Sequence, residues 1–527
     1  MKVRAPRLRT VCFSAIVPAL LAGGCVEVGD DATSQASSEL RNDAVRVQAG
    51  DNLTVLAVTA DDHVVFWDGT SIYVSSLHRN ASRTKVADSG AGVPSAGIPM
   101  VQISGNVAFI WPDAALFGGG VSRLYVWTAA GGARLASTSS VATTNAAAAS
   151  PDGRDIVYTT GVSADGASGD IVTARADLRG ERSLVTGVDF QCAQQQPFLV
   201  GFDRKPQLAA FDGDDGDDGD DQGHCAGNGP DANPVVGYCP VGSSTAQLAR
   251  WVNGVRHDLA SDIRGFPQWS VTHDGSEIFT LVGTPRTNQR PIRIGKDDHV
   301  EQIEDIFTGG GSINLDDTIV TFAHPANFEM HRFTGEPPRP TVVADMGLRF
   351  SLAFNTVPTL ALDYTTGFGS STGWTMFGNP HDDQTHFDWF LADTLHSTKV
   401  PLQQNMICSP NLEPFTADSK HALVYCFDTQ WSLTSATLAG EITQISTGDV
   451  ADFNNFAVAN SVITFSDNRT FDADGVGTSD IKTIDLAASA PVANVVAPGA
   501  FGHYLPTDDR RRIVYSDHRG LFVKRVR

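Results

Sequence analysis

Gly369-Ser370-Ser371-Thr372-Gly373 has the G-x-S-x-G spacing of a serine nucleophile. An elbow of that kind must follow a strand and open a helix within a hydrolase sheet, so that the serine oxygen stands exposed at the sheet's edge. Here the flanks are Thr365-Thr366-Gly367 and Trp374-Thr375-Met376, and Ser371 reads as part of a Gly/Ser loop. Just downstream, His381-Asp382-Asp383-Gln384-Thr385-His386-Phe387-Asp388 holds imidazoles and carboxylates of the kind that bind metals. Two histidines five apart share neither a helix face nor a strand face, which favours a solvated loop. Scattered carboxylates could furnish the acid pair of a glycosidase, but nothing in the order of residues selects two of them. No catalytic residue is assigned.

Oxygen-rich runs are the remaining candidates. Seven aspartates fall between Asp212 and Asp221, followed by His224, Cys225, Asp231 and Cys239. Such charge must stay solvated unless cations neutralise it, and calcium is the hard cation that takes several carboxylates. The run lacks the spaced acids and closing Glu of an EF-hand loop and reads as an acidic loop. His224 and Cys225 have no matched second pair for zinc. Phe471 to Asp480 has better spacing: Asp472, Asp474 and Asp480 open with D-x-D-G and are the candidate calcium ligands, although Asp and Gly in a turn also serve its geometry. No other cofactor is expected.

The chain has 527 residues, 41% apolar and 19% charged, with 50 Gly and 26 Pro. It can bury a large core and is no disordered acidic polymer. Its 38 Lys and Arg against 60 Asp and Glu leave a net charge of −22, which repels phosphate backbones. Nucleic acid is therefore not an expected partner.

Lys2, Arg4, Arg7 and Arg9 precede an apolar stretch from Val11 to Ala22, too short to span a bilayer permanently. This reads as a secretory signal over residues 1–24. Leu21-Ala22-Gly23-Gly24-Cys25 resembles the bacterial lipobox, with Ala22 where that family usually has Leu. The resemblance implies acylation of Cys25 and a lipid-anchored protein of the bacterial cell envelope, at the periplasmic face of the outer membrane or the cell surface. Membrane contact would then run through the acyl chains, each methylene contributing roughly 0.8 kcal/mol. Residues 25–42 are polar and aperiodic, a tether with an end-to-end distance of roughly 20 to 25 Å.

From residue 43 onward the chain repeats itself. A short polar corner, usually with Asp, is followed by a β-branched and aromatic run: Asp61-Asp62 before HVVFW, Gly105-Asn106 before VAFIW, Asp152-Gly153 before RDIVYT, and seven further copies. Counted from Asp61, Gly105, Asp152, Asp203, Asp274, Asp316, Thr356, Asp418, Asn460 and Asp508, the intervals are 44, 47, 51, 71, 42, 40, 62, 42 and 48 residues. Most are the length of a four-stranded propeller blade. Apart from the signal, no window carries a 3.6-residue apolar stripe, so strands are expected throughout. The two long intervals mark insertions, an acidic one at 211–240 and a loop at 365–388.

Ser150-Pro151-Asp152-Gly153-Arg154 ahead of IVYT resembles the repeat of TolB-like, WD-like β-propellers, and the other copies keep fragments of it. The resemblance implies an all-β propeller of four-stranded antiparallel blades over 43–527. Seven to ten blades fit, in one ring or two. The last unit is one strand short, and Ala44 to Gln48 is placed to complete it and remove both free edges. TolB-like propellers also precede hydrolase domains in prolyl-oligopeptidase-like enzymes.

Discounting Cys12 and Cys25 leaves five cysteines, suited to disulfides in an oxidising compartment. Cys408 and Cys426 lie in consecutive strands and could bridge a hairpin. Cys225 and Cys239 could close the acidic insertion, with Cys192 left odd or exchanged into that pair. The expected function is binding or scaffolding of a protein, peptide or glycan without catalysis. The alternatives are a propeller hydrolase or lyase acting on polysaccharide or peptide, and a calcium-dependent surface module.

Overall fold

The computed structural model describes residues 44–526 apart from 205–231, 350–358, 362–373 and 447–460. Shorter stretches outside the description are 52, 91–97, 115–119, 144, 193–197, 264–268, 273–274, 284–288, 305–306, 314–317, 325–328, 335–338, 344–345, 384, 417–419, 428–430, 438, 472–476, 502–503 and 508–510. The described residues form strands and turns with no helix, and the strands fall into ten antiparallel blades. In chain order the blades cover 54–88, 100–141, 147–189, 198–263, 269–302, 307–343, 359–403, 407–446, 462–500 and 504–525. Three strands of the ninth are described. Blades 7 and 8 share the 18-residue strand Thr398–Phe415, whose first part pairs with Phe387–Asp393 and whose second part pairs with His421–Phe427.

Alternation within the second strand of each blade turns these sheets into a ring. Side chains of a strand point to opposite faces with period 2. Val64 and Phe66 of blade 1 pack with Val514 and Val523 of blade 10, while Val65 between them packs with Ala108 and Ile110 of blade 2. Phe109 and Trp111 then share one continuous core with Ile156, Val157 and Tyr158 of blade 3 and with Phe202 and Tyr238 of blade 4. The same exchange continues from blade 4 to blade 5 (Leu248 with Ile278), to blade 6 (Phe279 with Ile319), to blade 7 (Val320 with Phe377) and to blade 8 (Leu391 with Val424). It ends through blade 9 (Leu423 with Phe465) and blade 10 (Ile481 with Tyr515). Every blade is therefore apolar on both faces, which is why HVVFW and VAFIW read as continuous rather than alternating runs. Ten blades make a wider ring than the usual four to eight.

Strand Val45–Ala49 pairs antiparallel with Gly520–Arg525 as the outer strand of blade 10, as the N-terminal segment was expected to do. The polar corners are hairpin turns with a shared chemistry. Thr59, Ser150, Thr272, Thr416 and Thr507 each close the turn by a backbone bond, 2.8 to 3.1 Å, from their own N–H to the carbonyl of the residue that starts the second strand. In four of them the hydroxyl oxygen also accepts from that residue's N–H. Gly153 takes φ 67°, the left-handed conformation such a corner needs.

Two boundaries expected from the sequence are corrected. The insertion placed at 211–240 ends earlier, because Pro234–Tyr238 is a fully buried second strand of blade 4. The loop placed at 365–388 contains the strand Trp374–Pro380, buried along nearly its whole length, which is the second strand of blade 7. Asn355-Thr356 accordingly precedes the inner strand Thr359–Ala361 rather than marking an inner corner. The first and second strands of blade 7 are therefore Thr359–Ala361 and Trp374–Pro380, and the segment read as an insertion contributes a strand to that blade.

Candidate functional site

Because neighbouring strands run in opposite directions, the ring has two unlike rims. Corners between first and second strands, and between third and fourth, share one rim, the corner face. Loops between second and third strands share the other rim with the links that join successive blades, the link face. The acidic segment 205–231 leaves from the corner face, and the 381–386 loop and the 472–476 segment leave from the link face.

On the link face, between blades 6 and 7, an open cleft of about 560 Å3 is lined by Arg349, Pro380, His381, Asp382 and Asp383. The hairpin of blade 7 sets it up. Pro380 and Phe387 are cross-strand partners, as are Asn379 and Asp388, so the residues just past the strand ends face each other. His381 N–H donates to the His386 carbonyl at 2.8 Å and closes the loop. Asp388 is buried and works as the hub. Its Oδ1 accepts from His381 Nε2 and from the Asn405 amide, both at 2.9 Å, and its Oδ2 lies 3.3 Å from Arg349 Nη1. One carboxylate thus ties together the loop of blade 7 and the links on both sides of it. Burial pushes the Asp388 carboxyl upward, but the bonds from His381 and Asn405 and the charges beside it win and hold it below the usual carboxylate range.

Around this hub the backbone is pinned. Buried Asn379 donates to the Gly347 carbonyl at 2.8 Å and accepts from the Arg349 amide at 3.3 Å, and Lys399 donates to the Met346 carbonyl at 2.8 Å. Asp383 is consumed by its own turn: the amide of His386, then the His386 ring and the Thr385 amide, hold it well below the usual carboxylate range. A carboxylate-oriented imidazole beside an exposed guanidinium can recognise polar and charged groups, and the same pair could move a proton at a bound ligand.

The sequence reading of 381–388 as a solvated loop thus missed the bond between His381 and Asp388. It weighed the two histidines against each other, whereas the ring partner that matters is the carboxylate across the hairpin. Among the described residues no group of three His, Cys, Asp or Glu gathers as metal ligands. Asp480 is committed elsewhere, accepting from Asn468 Nδ2 and the Gly499 amide, both at 3.1 Å. It sits three residues down the ladder from Gly477, roughly 10 Å from the turn. Asp472, Asp474, Cys25, Cys225, His224 and Ser371 lie outside the described residues.

Cys239 bonds Cys192, not Cys225, across a sequence separation of 47. The correction follows from the fold: both lie at the link face, Cys192 in the link entering blade 4 and Cys239 at the end of that blade's second strand. Cys408 and Cys426 are register partners on neighbouring strands, and Cys426 is disulfide-bonded.

A second titratable cluster lies on the other side of blade 6. His331 is buried with Nδ1 on buried Glu304 and Nε2 3.1 Å from Glu329. Burial pulls the His331 pKa down, but the bonds to Glu304 and Glu329 outweigh it and raise the pKa above the ordinary value. A folded-state pKa above the unfolded one contributes stability that is fully present below about pH 6.5 and is lost as pH rises through the folded value. Wild type is therefore expected to lose its advantage over His331→Gln progressively as pH rises above about 6.5, read as urea midpoints. A gap that stays constant with pH would count against this ion pair.

No family model matches the chain, and no curated protein matches it in sequence. Among solved structures it is similar to the tricorn protease, at 14% identity and TM-score 0.31, over 89% of this chain and 47% of that one. It is also similar to dipeptidyl peptidase 4 of Porphyromonas gingivalis, at 9% identity and TM-score 0.42, over 82% and 66% of the two chains. TolB of Acinetobacter baumannii is similar at 9% identity and TM-score 0.27, over 66% and 79%. The chain spans less than half the length of the tricorn protease. These neighbours combine proteases with TolB, and at such identities the likeness does not extend to chemistry.

Proposed function

We infer that this protein is an exported, lipid-anchored β-propeller that binds a protein, peptide or glycan partner through its link face, without catalysis. The observation that supports the reading is Asp388, a buried carboxylate that holds His381 and Arg349 at the mouth of an open polar cleft. Binding groups on propeller scaffolds gather on the loops of one rim, held by rigid sheets beneath. Cys25 and the basic, apolar segment before it support export and anchoring.

Two measurements on the full chain test this. Cys25→Ser is expected to abolish incorporation of labelled palmitate and to release the protein from membranes. A photo-crosslinker at position 382 on the link face should capture a discrete partner that one at position 253 on the corner face does not. Equal capture from both rims, or a partner unaffected by Arg349→Ala, would overturn the assignment to this face.

A further inference from the structure

We propose that the cleft between blades 6 and 7 takes the C-terminus of a peptide and favours a basic last residue, a specificity that rests on the binding role inferred above. His381 and Arg349 bond the two oxygens of one carboxylate, Asp388, so their free ends lie within reach of one small ligand. A carboxylate only accepts, so His381 Nε2 carries the proton of that bond, and in the neutral ring Nδ1 is a bare acceptor. Nδ1 meets no donor among the described residues. Arg349 is 60% exposed and meets Asp388 through Nη1, at 3.3 Å. Its Nε and Nη2 donors form the planar fork that suits a carboxylate.

The acids of the cleft divide in the same way. Asp383 is matched by the His386 ring and by the amides of Thr385 and His386. Asp382 is exposed, and its side chain makes no bond among the described residues. The cleft therefore offers a donor fork, one acceptor and one unmatched negative charge. The last residue of a peptide supplies a carboxylate for Arg349 and its own amide N–H for His381 Nδ1. A lysine or arginine side chain there adds a cation for Asp382. A simple anion would face Asp382 on a chain of net charge −22, and a simple cation would leave the Arg349 fork unused. None of the five lining residues is Trp, Tyr or Phe, the usual platform for the face of a sugar ring.

Fluorescence anisotropy with the full chain tests this, using a labelled peptide ending in lysine with a free carboxylate, its C-terminal amide, and a version ending in glutamate. A uronic-acid oligosaccharide is the fourth probe. Amidation and Arg349→Gln are each expected to weaken binding about 10- to 100-fold. Asp382→Asn should remove the preference for lysine over glutamate while the free carboxylate still matters. Both side chains are exposed, and unchanged thermal melts would show the variants folded. Binding indifferent to amidation overturns the proposal. Arg349-dependent binding of the uronate alone would overturn it while leaving the link-face binding role intact. No Arg349-dependent binding of any probe would remove both.

Discussion

Arg250→Ala is expected to cost about 3–5 kcal/mol, because it leaves buried Asp203 without its cation and Asp298 with His257 alone where blades 4 and 5 meet. Arg250 is 2% exposed. Its Nη2 donates to the carbonyls of Gly295 and Lys296, at 3.1 and 3.0 Å, and bonds Asp298, while Nη1 lies 3.6 Å from Asp203. Gly295 to Asp298 form a corner of blade 5, so one guanidinium crosses the blade boundary with several bonds. Asp203, the corner aspartate of blade 4, also accepts from the Asn233 amide at 2.8 Å and from its side chain at 2.9 Å. Those bonds join the two ends of the acidic insertion at its root. Without Arg250, buried Asp203 must ionise unpaired or take up a proton. The urea midpoint of Arg250→Ala should fall strongly, and Arg250→Ala with Asp203→Asn should recover part of the loss. Additive effects of the two substitutions would show that the pair is not coupled.

What could be read from the order of residues was what is local. Ser150-Pro151-Asp152-Gly153 declares a hairpin because the Asp bonds its own turn and Gly accepts positive φ within four residues. Continuous runs such as VAFIW declare strands covered on both faces, and the unpaired last unit pointed to the strand at Val45. The seventh blade was misplaced because the polar pair Asn355-Thr356 was taken as its corner, whereas both strands that flank that corner, Thr359–Ala361 and Trp374–Pro380, lie beyond it. The Arg250 and Arg349 contacts had no local signature. Asp298 lies 48 residues beyond Arg250, and Asp388 lies 39 beyond Arg349, each pair meeting only because successive blades stack. A charged side chain about one blade length from an aspartate is the single signal that could have pointed to them, and in a chain with 60 acids it is met too often by chance to select a pair.

Ring closure should be the most sensitive point of the fold. Val47→Asp is expected to cost several kcal/mol, since Val47 is 0% exposed among Val55, Phe66, Val514 and Val523, and a carboxylate there would be buried without a partner. The damage would not stay local. The Val45–Ala49 strand covers the edge of Gly520–Arg525, and its loss exposes a row of backbone donors and acceptors that invites pairing between chains. Aggregation at temperatures where wild type stays in solution is therefore expected as well. Gly520→Ala should act the same way without adding charge: φ is 141° there, and a Cβ would collide with the Gln48 carbonyl oxygen across the same pair of strands. The reverse change should stabilise. Val45 and Val523 are register partners, so cysteines at both positions can bridge first and last blade strands and constrain the unfolded chain over the whole ring, the case in which cross-linking contributes most. Oxidised Val45→Cys/Val523→Cys should unfold at higher urea than its reduced form. If the oxidised and reduced forms unfolded together, the ring would be failing first at another blade boundary, and the N-terminal strand would not be its weakest joint.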